Sequence, residues 1–89
     1  MISDEKLKEI EQRCIKAQKG PWKAYIEGRD HESGSDFIMT GTGKNRGEDI
    51  ELLGATQADY DFIAHAKQDI PYLIKEIRIL LKLIEHKAD

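Results

Sequence analysis

The sequence predicts an α+β fold: a three-stranded antiparallel β-meander packed against helices in the order α-β-β-β-α-α, in a single domain over residues 1–89. Three observations carry that expectation. The apolar residues of positions 56–86 recur at i, i+3, i+4 and i+7. Between Trp22 and Leu53 the apolar period changes to two. Polar, glycine-bearing turns separate the alternating stretches, and they are too short to hold a crossover helix, so neighbouring strands should run antiparallel.

Residues 3–19 read as the first helix. Ser3 is a suitable N-cap, and Asp4 and Glu5 put negative charge where the helix dipole favours it. Leu7, Ile10, Cys14 and Ala17 form a narrow apolar stripe, with Ile15 to one side. Lys16 and Lys19 lie toward the C-terminal end, and Gly20-Pro21 ends the helix.

Residues 22–29 alternate, with Trp22, Ala24, Ile26 and Gly28 on one face and Lys23, Tyr25, Glu27 and Arg29 on the other. Residues 30–35 are rich in turn formers. A second strand is expected over 36–41, with Phe37 and Met39 facing one way and Ile38 and Thr40 the other. Residues 43–47 make a polar turn bounded by glycines. Residues 49–53 read as a short third strand with Ile50 and Leu52 on one side.

Thr56 and Asp59 approximate a capping box at the start of the long helical stretch. Pro71 is expected to divide that stretch into two helices. It has no N–H to donate, and Ile70 before it is biased away from helical geometry. A kinked continuous helix is the alternative. Ala58, Phe62, Ile63, Ala66, Ile70, Leu73, Ile74, Ile77, Leu80, Leu81 and Ile84 make the main apolar stripe, expected to pack on the sheet and the first helix. Tyr72, Ile79 and Leu83 lie on a flank outside it. Covering a small sheet requires an apolar sector of only ~100°. The excess points to a homo-oligomer, with a two-fold homodimer favoured and Tyr72, Ile79 and Leu83 at its interface. Ile70, Leu73, Ile77, Leu80 and Ile84 also match a/d spacing, over about two heptads, short for an autonomous coiled coil.

The formal net charge of −3 argues against a nucleic-acid-binding surface, which needs clustered positive charge. No apolar run approaches the ~18 residues of a membrane span. The charged start, Met-Ile-Ser-Asp-Glu-Lys, lacks the apolar core of a signal peptide. Cys14 is the only cysteine and has no intrachain partner. Together these features predict a cytoplasmic protein with no membrane association.

Candidate chemistry is sparse. The run Gly41-Thr42-Gly43-Lys44-Asn45-Arg46-Gly47 fails as a phosphate loop, because Asn45 follows the lysine and the next element reads as a strand. It is read as a hairpin turn that offers Lys44 and Arg46 to an anion or acidic partner. Arg29-Asp30-His31, at a strand end, has the groups to bind an anion or to pair a base with its orienter. Turn-stabilising hydrogen bonds from Asp30 are the simpler reading. Asp61, His65 and Asp69 recur every four residues, a spacing that stacks an imidazole between two carboxylates. No second histidine falls in register, so no metal is assigned, and no cofactor. Trp22 is read as core, Cys14 as a small buried hydrophobe, and His86 as a helix-end cation.

The run Gly20-Pro21-Trp22, then Tyr25-Ile26-Glu27-Gly28-Arg29-Asp30-His31, then Asp61-Phe62-Ile63-Ala64-His65-Ala66-Lys67-Gln68-Asp69-Ile70-Pro71 is similar to a group of small uncharacterised bacterial and phage-borne proteins. That group shares a Gly-Arg-Asp-His turn and a D-F-I-A-H-A-R-x-D-I-P-x-L helix junction. The resemblance covers residues 20–73, with Lys67 where the group carries Arg. It implies a mobile-element or prophage context and no particular activity. The leading expectation is therefore a non-enzymatic, homo-oligomeric interaction protein of bacterial or prophage origin. Its candidate partner surface comprises Arg29, Asp30, His31, Lys44, Arg46, His65 and Asp69. The alternative is a small hydrolase or ligand-binding protein using the Arg29-Asp30-His31 turn and His65. A third reading is a weak nucleic-acid binder acting through Lys44, Arg46 and Arg29.

Overall fold

The structure, a computed structural model, describes residues 1–88; Asp89 lies outside the described residues. Its elements are α1 (Asp4–Lys16), β1 (Trp22–Tyr25), β2 (Phe37–Thr40), a single 3-10 turn (Gly43–Asn45) and α2 (Gln57–Ala88). The class is α+β, but the expected three-stranded meander with order α-β-β-β-α-α does not form. Among the described residues there are two helices and a two-stranded antiparallel sheet.

α1 begins as its sequence requires, with the Ser3 hydroxyl accepting from the Lys6 N–H at 3.1 Å and Leu7 buried. It ends at Lys16, short of Lys19, and Ala17 turns to extended geometry. The reason lies just beyond. The Gln18 carbonyl accepts from the Trp22 indole at 3.0 Å, and its side-chain oxygen accepts from the Glu48 N–H at 2.9 Å. Both contacts hold the chain out of a further helical turn.

β1 and β2 pair in the register Trp22↔Thr40, Lys23↔Met39, Ala24↔Ile38 and Tyr25↔Phe37. The inner face is Ala24 and Ile38 with buried Thr40. On the other face Tyr25 stacks on Phe37 at 5.3 Å, a cross-strand pair. β1 was expected to reach Arg29 and stops at Tyr25. There the Ile26 N–H donates to the Asp30 carboxylate, while the Ile26 carbonyl accepts from the Arg29 and Asp30 N–H groups. A turn has taken the groups a strand would have used.

The third strand reduces to one bridge, Ile38↔Ile50. Past it, the Leu52 N–H donates to the Tyr60 hydroxyl at 2.8 Å. That hydroxyl lies 3.1 Å from the Asp36 carbonyl and 3.2 Å from that of Leu52, with one proton to share between them. A buried side chain therefore satisfies backbone groups that a ladder would otherwise pair.

α2 is capped as expected: the Thr56 N–H donates to the Asp59 carboxylate, and the Asp59 N–H to the Thr56 hydroxyl. Pro71 does not divide it. α1 braces the helix on both sides of the proline. The Lys67 ammonium donates to the Cys14 carbonyl at 2.6 Å, and Arg78 forks onto the Glu11 carboxylate at 2.6 and 3.2 Å. Ile74 is buried between those two clamps. Packing outweighs the local cost of a proline in a helix interior, roughly 3 kcal/mol.

The core consists of Ala24, Ile26, Ile38, Tyr60 and Ala64, with Trp22, Ile50, Leu52, Ala55 and Ile63 packed around it. It therefore underlies only the first turns of α2. Of the main stripe expected to be covered, Ile74 is buried, whereas Phe62, Leu73, Leu80 and Ile84 are exposed. Two strands of about 14 Å cannot cover a helix of about 48 Å. The molecule measures 59 × 27 × 19 Å, with a radius of gyration of 16.7 Å. A compact chain of this length would have about 12 Å.

Candidate interaction surface

The helical period of α2 separates its residues by direction. Tyr60, Ala64, Ile74 and Arg78 point toward the sheet and α1. Roughly a third of a turn away runs a second line: Phe62, Ala66, Ile70, Leu73, Ile77, Leu80 and Ile84. Ala66 and Ile77 are half-buried. Phe62 is 76% exposed, Leu73 54%, Leu80 56% and Ile84 48%. This line crosses Pro71 without a break because the helix does.

Beside its N-terminal part lies an apolar groove of about 290 Å³ between α1 and α2. Ile10, Cys14 and Ala17 form one wall, Phe62, Ala66 and Ile70 the other, and Trp22 closes the end. Lys67 holds the groove in shape. Its ammonium sits 5.5 Å from the Trp22 ring centre while donating to the Cys14 carbonyl. Gln68 fixes the start of β1 against α2 by accepting from the Trp22 N–H and donating to the Trp22 carbonyl.

The expected oligomer residues Tyr72, Ile79 and Leu83 are all exposed, and they extend the apolar surface round α2 on the side away from α1. The sequence reading missed the exposure of Phe62, Leu73, Leu80 and Ile84. Their 3-4 alternation was visible, but Pro71 argued for ending it, and the sheet was expected to be large enough to cover it.

The charged candidates are placed differently. Arg29 forks onto the Asp61 carboxylate at 2.8 and 2.9 Å, and its Nε donates to Asp30 at 2.9 Å. Asp30 also caps the Ile26 N–H. These hydrogen bonds from the Arg29 guanidinium hold the Asp30 and Asp61 carboxyls below the usual carboxylate range, and the Ile26 N–H adds to the effect at Asp30. The arginine is correspondingly raised. The turn is thus fastened to α2.

His31 turns toward the Ser33 carbonyl, 2.8 Å from Nδ1, and its ring lies 5.7 Å from that of Phe37. Its Nε2 is buried with no protein partner among the described residues. His65 does not stack between two carboxylates. Its Nδ1 faces the Asp61 main-chain carbonyl at 2.8 Å, and the Asp61 carboxylate belongs to Arg29. Asp69 is exposed one turn further on. Among the described residues no three His, Cys, Asp or Glu side chains gather as metal ligands. Lys44 lies exposed on the 3-10 turn, and Arg46 pairs with Asp49.

No family model, curated protein or solved structure matches the chain. None of the helices among the described residues is long and apolar enough to cross a membrane.

Proposed function

We propose that the protein is a non-enzymatic interaction protein that acts by self-association, with α2 as its platform and a homodimer as its unit. The observation that carries this reading is the exposed apolar line from Phe62 to Ile84. The exposed fractions of its side chains correspond to about 600 Å² of apolar surface, the upper end of the largest patch that a monomer ordinarily leaves to water. Two copies joined along it would bury about 1,200 Å², the lower bound for specific, stable interfaces. Leu83 flanks that line and joins the margin of the interface, whereas Tyr72 and Ile79 lie further round α2 on its exposed outer face. A cytoplasmic setting belongs to the same proposal and is supported by the lone Cys14, which stands unpaired on α1. A bacterial or prophage origin rests on the resemblance of residues 20–73 described above.

Light scattering across a dilution series tests the proposal. The expected result is a dimer mass that falls toward the monomer on dilution. The paired variant Leu73→Glu, Leu80→Glu should be monomeric at every concentration with its far-ultraviolet helical signal intact, because both sites face solvent in the single chain. A parent protein that stays monomeric at its solubility limit overturns the reading.

A further inference from the structure

From the direction of the seam, we infer that two copies pair through α2 in parallel and in register, as a two-stranded coiled coil spanning residues 63–84. The inference rests on the self-association proposed above and adds orientation and register to it. Because α2 runs on through Pro71, the a/d alternation extends upstream of the proline. Ile63, Ile70, Ile77 and Ile84 occupy a, and Ala66, Leu73 and Leu80 occupy d. Among parallel coiled coils, β-branched residues at a with leucine at d favour two strands over three or four.

The position of α1 gives an independent reason. It packs on the e side of the seam, where Lys67 and buried Ile74 lie. In an antiparallel pair the two e sides share one side of the coil. α1 is clamped near Lys67 and Arg78, so it straddles the midpoint of the seam, and two copies of it would meet in the same place. In a parallel pair the e side of one helix faces the g side of the other. The two α1 helices then fall on opposite sides of the coil.

Charge agrees. Position g carries Asp69 and Glu76, and an antiparallel pair would set g against g, bringing like charges together. In the parallel pair g faces e, so Phe62, 76% exposed in the single chain, reaches the partner's Lys67 beside the Trp22 groove. Each copy thereby covers the open groove of the other.

Disulfide trapping tests the orientation. In a Cys14→Ser background, Leu80→Cys should convert most of the protein to a covalent dimer on mild oxidation, since residue 80 meets its own counterpart only in a parallel, in-register pair. Cross-linking that needs a mixture of Leu80→Cys with Ile70→Cys would mean an antiparallel pair, and overturns the inference while leaving self-association in place. A protein that is monomeric by light scattering overturns both. Should either cysteine variant fail to fold, spin labels at Lys82→Cys, exposed on the outer face, replace the readout. A short label-to-label distance in the dimer supports the parallel pair, and a long one overturns it.

Discussion

Arg29 illustrates how single residues fix this molecule. Its guanidinium joins a turn to a helix through Asp30 and Asp61, and a second arginine, Arg78, joins α1 to α2 through Glu11. Hydrogen bonds from these arginines lower the Asp30, Asp61 and Glu11 carboxyls. A carboxyl whose folded value is depressed adds stability above the unfolded value, about 4, and loses it as pH falls through the folded value. Thermal melts from pH 7 downward should therefore be flat to about pH 4 and then fall. Arg29→Gln should shrink that fall, and an unchanged acid limb would contradict it. Tyr60 is a second anchor. Tyr60→Phe leaves the Leu52 N–H without its partner and should cost about 1–3 kcal/mol in urea unfolding. Gly41 is a third. It holds φ at +69°, and a Cβ there would overlap the Asn45 backbone carbonyl. Gly41→Ala should cost at least about 2 kcal/mol, since strain and overlap add.

At the scale of elements, the two departures from expectation share a cause. Pro71 failed to end α2, and residues 49–53 failed to complete a strand, because contacts from elsewhere outvoted local preference. For Pro71 these are the clamps of α1 at Lys67 and Arg78; for Leu52 it is the hydroxyl of Tyr60. The proline remains a local cost in a helix held by its neighbours. Pro71→Ala should therefore raise stability, by up to about 3 kcal/mol, with no change in helical content. A drop in melting temperature would show that the proline shapes the α1 contact rather than merely being tolerated. The caps were readable because they are local: Ser3 with Lys6, and Thr56 with Asp59, lie within one helical turn of each other.

For the whole molecule, shape is the deciding property. A small head built from α1, β1, β2 and the start of α2 carries a long helix whose apolar line continues past it. If that line is buried between two copies, the melting temperature should rise with protein concentration, as mass action requires. A melting temperature independent of concentration, measured across a hundredfold range, would argue for the monomer. Salt should matter little to this association, because the seam itself is apolar.

Taken alone, the sequence determined the periodicities, the helix caps, the turn at Arg29-Asp30-His31 and the apolar excess of the last thirty positions. Each is a property of residues close together along the chain. The tertiary structure decided which apolar residues are covered, where β1 stops, what Tyr60 and Gln18 hold, and that α2 passes through Pro71. Those outcomes depend on how much surface a four-residue strand pair and α1 present to a helix of 32 residues. That area exists only once the elements have met.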